Sequence, residues 1–141
     1  MPVTFDANAL AAMKAKMAAI TEQTRARSAS AVYVEANLIM TNAKQNFVPV
    51  DLGTLRNSGT VSQPIIAEDG TISIKLYFGG AAAPYALAIH EHPSSFDPPS
   101  WRGKPILNFR GKQGRGPKYL EYPLRQAENG MAERLAARIR K

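Results

Sequence analysis

The 141-residue chain contains no cysteine. That excludes disulfides, thiol catalysis and any zinc or iron–sulfur site built on thiolates. Histidine is almost as scarce: His90 and His92, on either side of Glu91, are the only two. No apolar run approaches the ~20 residues that span a bilayer, so no membrane segment is expected. Met1-Pro2-Val3-Thr4-Phe5-Asp6 lacks a basic stretch followed by an apolar one, which argues against a signal peptide. What is present is ordinary for one folded domain: 15.3 kDa, 45% hydrophobic and 21% charged residues.

Glycine is also missing from residues 1–48, where Pro2 is the sole proline. A stretch so free of helix breakers predicts helix. Leu10, Met13, Met17 and Ile20 recur at three- and four-residue spacing, and Ala31, Val34 and Leu38 resume the stripe after a polar segment, Thr24 to Ser28. The pattern predicts one long helix over 8–47 with Asp6 as N-cap, or two antiparallel helices broken near Ser28. One such helix would protrude from so small a domain unless it packed on something else. Pro49 ends it. In the following Asp51 to Gly59, Gly53 permits a tight turn, Thr54 can cap a helical turn, and Gly59 can close that turn in the left-handed region.

A β-hairpin is expected over about 60–78. Thr71 to Phe78 alternates, with Ile72, Ile74, Leu76 and Phe78 on one face and Ser73 and Lys75 on the other. Asp69-Gly70 signals a type I′ turn. Pro64 in the partner strand, Thr60 to Ile66, calls for an edge position or a bulge. Tyr85 to His92 is either a short helix or a strand, since eight residues do not distinguish the two periods. A C-terminal amphipathic helix is expected over 123–140, with Leu124, Ala127, Met131, Leu135 and Ile139 as its stripe. Gly130 weakens it, and Arg134, Arg138, Arg140 and Lys141 lie toward its C-terminal end, where the helix dipole favours cations. The fold class is therefore α+β, in a single domain: a long N-terminal helix, a small antiparallel sheet with a hairpin, and a C-terminal helix.

The net charge of +7 is uneven. Residues 101–141 hold eleven basic and three acidic side chains, whereas 51–100 hold two basic and five acidic. A loop-like stretch, 93–117, has five prolines and four glycines and carries the sole tryptophan, Trp101. Arg102, Lys104, Arg110, Lys112 and Arg115, continued by Lys118, make a basic run with no acidic residue among them. This run is the candidate contact to DNA phosphates or to an acidic protein partner. Its Gly111 to Gly116 segment lacks P-loop spacing. No standard DNA-reading motif is present.

Catalytic chemistry has little to stand on. There is no G-x-S-x-G elbow and no HExxH. His90 and His92 would share a face only in a strand, and no third histidine exists to complete a site. Neither an enzyme nor a cofactor is expected.

Three blocks in order carry a resemblance: FVPVDLGTLRNSG (Phe47–Gly59), APYALAIHEHP (Ala83–Pro93) and GPKYLEYPLRQA (Gly116–Ala127). Together with the long helix they resemble the neck, or head–tail joining, proteins of tailed bacteriophages, a family also known as minor tail-component or tail-completion proteins. Asp51, Gly53, Leu55, Arg56 and Ser58 match its first block, Tyr85, Ala86 and Glu91 its second, and Tyr119, Leu120, Pro123 and Leu124 its third. Leu52 stands where threonine is usual, His92-Pro93 replaces a residue and glycine, and Pro123 falls one residue late. The resemblance implies a structural virion protein. Six or twelve copies would form a homo-oligomeric ring at the head–tail interface, between the capsid connector or adaptor and the tail-tube or tail-terminator proteins, around the packaged double-stranded DNA. A tail-terminator cap on the tail tube and a nonspecific nucleic-acid-binding module are the alternatives.

Overall fold

The computed structural model describes residues 6–48, 53–91 and 118–141. The N-terminal segment is one continuous helix, α1 (Ala7–Asn42), about 54 Å long at 1.5 Å per residue, widening into a π-helical turn over Ala43–Phe47. Of the two arrangements the sequence allowed, the unbroken helix is the one formed. Asp6 is its N-cap residue, with extended backbone, but the cap makes no side-chain hydrogen bond. Its carbonyl accepts from Leu10 N–H at 3.0 Å.

The helix has two unlike halves. Residues 6–24 are exposed at every position. Further along, Ala29, Ala31, Glu35, Ala36, Ile39, Met40 and Ala43 are buried. The buried face is not the predicted stripe: Val34 and Leu38 stay exposed, and only Ala31 of that trio is covered. Alanines dominate the buried face, which lets neighbouring elements approach closely, and counting large apolar residues overlooks them.

A short helix, α2 (Thr54–Asn57), follows Gly53, whose φ of +79° supplies the expected tight turn. Its N-cap is Gly53, not Thr54. Gly59 does not close this helix in the left-handed region. It opens strand β1 (Gly59–Val61). A Cβ built on it would lie 2.5 Å from Lys44 Cε and 2.8 Å from both Met40 Sδ and Phe78 Cε1. Glycine is there because β1 presses against α1.

The hairpin is interrupted midway. β1 pairs with β4 (Leu76–Phe78), and β2 (Ile65–Ile66) pairs with β3 (Ile72–Ser73), both antiparallel. Thr60 faces Tyr77, whereas Ile65 faces Ser73, so one extra residue lies on the strand that carries Pro64. That is the bulge the proline called for, and it divides the expected sheet into two small ones. The alternation holds: Ile72, Ile74, Leu76 and Phe78 are half-buried, and Ser73, Lys75 and Tyr77 are exposed.

The hairpin turn differs from the type I′ expectation. Gly70 N–H donates to Ala67 O at 3.0 Å, Ala67 N–H donates to Thr71 O at 2.9 Å, and only Gly70 has positive φ (+88°). This is a turn centred on Glu68-Asp69 and closed by a glycine bulge. Asp69 Oδ1 accepts from Thr71 N–H at 2.9 Å, and that bond holds its carboxyl below the usual range.

A 3₁₀ turn (Gly80–Ala82) leads into α3 (Ala83–Glu91), so the ambiguous segment is helical. The single helix expected over 123–140 is two, α4 (Glu121–Glu128) and α5 (Met131–Ile139). Gly130, at φ +70°, adopts a conformation no helix contains and breaks it. Gln126 bonds Asn42, while Arg134 and Arg138 bond Glu35. The C-terminal pair therefore runs antiparallel along the second half of α1. The core proper gathers Val48, Leu55, Ala82, Ala86 and Tyr119, with Phe47, Phe78 and Leu120 packed against it.

Candidate functional site

The residues of the three sequence blocks converge where they are described. Leu55 from α2, Ala86 from α3 and Tyr119 and Leu120 from the turn before α4 meet in the core, and Pro123 is fully buried in the first turn of α4. Gly53 supplies the left-handed turn ahead of α2, and Arg56 stands exposed on it. Tyr85 lies in α3. Tyr119 is the hub: its hydroxyl donates to Ala86 O at 2.8 Å, and Phe78 and His90 meet its ring edge to face, each with centroids 5.0 Å away. The blocks thus build a scaffold. Asp51 lies outside the described residues.

Of the candidate basic run, Arg102, Lys104, Arg110, Lys112 and Arg115 lie outside the described residues, and so does the whole of the expected loop over 93–117. Lys118 is described, and it is engaged. Its Nζ donates to Glu91 Oε2 at 2.6 Å and lies 3.5 Å from Glu121 Oε2, and its N–H donates to His90 O at 3.0 Å. Lys118 also has φ +56°, a left-handed conformation rare outside glycine. The bond from Lys118, helped by His90 at 2.7 Å, draws the Glu91 carboxyl below its usual range, and Glu91 in turn raises Lys118. Glu91 and Lys118 therefore pin the end of α3 to the start of the C-terminal helices. The contact is intramolecular, and the Lys118 side chain stays about a third exposed beside it.

A second polar cluster joins α1 to α5, and the sequence reading did not find it. The Glu35 side chain is 5% exposed. It accepts from Arg134 Nε at 2.8 Å, from Arg134 Nη2, and from Arg138 Nη1 at 2.5 Å. Arg134 also donates to the carbonyls of Ala127 and Asn129, which tie off the end of α4. Arg134 foremost, then Arg138, holds the Glu35 carboxyl below its ordinary value against the opposing effect of burial. The signal was legible: the two arginines are four apart and share a helix face, and Glu35 is the sole acid between Arg25 and Asp51. These two cations serve the packing of α5 more than its dipole.

Among the described residues, nothing covers the first half of α1. Leu10, Met13, Met17 and Ile20 stand exposed on it, the last two at 62%. Val34 and Leu38 continue the exposed apolar line onto the body. Beside Leu38 lies an open groove of about 310 Å³, walled by Ile39, Asn42, Pro123, Gln126 and Ala127 and bounded by Glu35 and Arg134. Exposed apolar side chains clustered on one helix face mark an interaction surface. Among the described residues no group of three or more His, Asp or Glu is placed to hold a metal ion, and no helix is long and apolar enough to cross a membrane. Compared with protein-family models, curated proteins and solved structures, the chain has no match.

Proposed function

We propose that the chain is a structural protein of the tailed-phage neck. It forms a homo-oligomeric ring that joins the capsid connector to the tail around the DNA channel. One observation carries this reading beyond the sequence resemblance: half of α1 stands away from the body with its apolar stripe uncovered. A monomer gains nothing from that arrangement, whereas an assembly subunit covers the stripe on its neighbour. The scaffolding role of the three sequence blocks and the strongly basic last third are compatible with a ring around DNA.

The test is quantitative mass spectrometry of purified virions, with the tail-tube protein as internal standard. About six or twelve copies per particle are expected. Loss of the chain from tailless heads, or from free tails, assigns its side of the joint. Absence from mature particles overturns the reading.

A further inference from the structure

The apolar line on α1 has a period that the fold does not use. Leu10, Met13, Met17, Ile20, Thr24, Arg27, Ala31, Val34 and Leu38 follow one another at alternating steps of three and four. This is the a/d spacing of a coiled-coil seam, in which a helix accepts another helix and not a flat surface. Among the described residues the seam goes unused: Ala31 is covered, but Leu10, Met13, Met17, Ile20, Val34 and Leu38 are all exposed. The seam falls into two apolar blocks, Leu10 to Ile20 on the arm and Ala31 to Leu38 on the body, with the polar pair Thr24 and Arg27 between them.

We propose that the arm of one copy lies parallel on the body block of the next, shifted by three heptads. This deepens the ring reading and rests on its premise that the chain self-assembles. Under this shift a positions meet a and d meet d. Leu10 falls at Ala31 of the next copy, Met13 at Val34, Met17 at Leu38, and Ile20 at Thr41, beside the groove between α1 and α4. Large side chains on the arm meet the exposed Val34 and Leu38 on the body, with Leu10 at the edge of the already covered Ala31, and the groove beside Leu38 receives the excess.

Electrostatics disfavour the two full-length pairings. A parallel pair without the shift would stack Arg27 on Arg27 inside the seam. An antiparallel pair that matched arm to body would enclose Arg27 against Thr24. Burying an arginine without an acidic partner is costly. The shifted pair leaves both polar residues outside the overlap, where the exposed Arg27 keeps its water. It also sets Lys14 against Ser30 and Lys16 against Asn42, so no like charges meet. The contact is head to tail: each copy gives its arm forward and receives one from behind, and a closed ring leaves neither surface over.

The absence of native cysteine makes the test direct. Single variants Met17→Cys, Leu38→Cys and Val34→Cys of the full chain are mixed in pairs and oxidised, after circular dichroism confirms unchanged helicity. Facing seam positions fall within disulfide reach. Met17→Cys with Leu38→Cys should give the major heterodimer, at least tenfold over any other pair, and the double variant should give ladders or a closed ring. Dominant cross-linking of Met17→Cys to Val34→Cys means an antiparallel pair and overturns the register. Dominant Met17→Cys homodimer means the unshifted pair and also overturns it, and in both cases self-assembly stands. A chain that stays monomeric and uncross-linked at high micromolar concentration overturns the inference and its premise together. Whether the chain resides in virions is decided separately, by the mass spectrometry above.

Discussion

Glu35 is the clearest case of one side chain deciding how a secondary-structure element sits. A carboxylate this buried is costly to desolvate, and two guanidiniums from α5 offset the cost only because both reach it. Glu35→Gln should lower the stability of the fold by about 2 kcal/mol at neutral pH, the scale of hydrogen bonds to charged groups. The pH dependence follows from its depressed carboxyl. Stability from a lowered folded value is fully present above the unfolded value of about 4.5 and is lost as pH falls through the folded one. Urea midpoints of the wild type and Glu35→Gln should differ by a constant amount from pH 6 to 8 and converge below pH 4.5. A gap that persists unchanged at pH 3 would show that shape, and not charge, makes the contribution.

Elements meet at distances set by their smallest residues. Alanines line the buried face of α1, and Gly59 brings β1 against it. Gly59→Ala should destabilise by about 1–2 kcal/mol, the cost of overpacking a filled site. The Lys44 end can swing aside, but Met40 is buried and Phe78 packs on the core. Chemical denaturation reads this, and an unchanged midpoint would mean that β1 backs away from α1 freely. The same logic explains the bulge at Pro64, where a residue that cannot donate to the ladder takes a place outside it. It explains the α4–α5 break as well. Gly130 reads from sequence as a weak spot within one helix, yet with Arg134 drawn back to Glu35 and to the carbonyls that end α4, it becomes a corner.

The whole molecule is a body with a helical arm. Its body is small, and among the described residues half of the large apolar side chains left exposed lie on one line of α1. Assembly through that line is driven by burial of apolar area, which salt does not screen, whereas contact with DNA phosphates weakens steeply as salt rises. Sedimentation of the oligomer at 50 and 500 mM salt should therefore give the same species, while any retention on duplex DNA should fall by several orders of magnitude. Oligomers that dissociate at high salt would assign the assembly to charge instead of the seam.

Local rules read from sequence proved sufficient wherever the outcome depended on chain neighbours. The breaker-free N-terminal stretch, the α+β class, the tight turn at Gly53, the alternation of the hairpin and the bulge at Pro64 all follow from backbone sterics and side-chain period, which act over a few residues. Three-dimensional packing settled the rest. It turned the buried face of α1 toward alanines, made Gly59 a contact point instead of a cap, and engaged Lys118 with Glu91 and Arg134 with Glu35. Those outcomes rest on partners tens of residues away. A short window carries the period of an apolar stripe, but it does not say whether the surface covering that stripe belongs to the same chain or to the next.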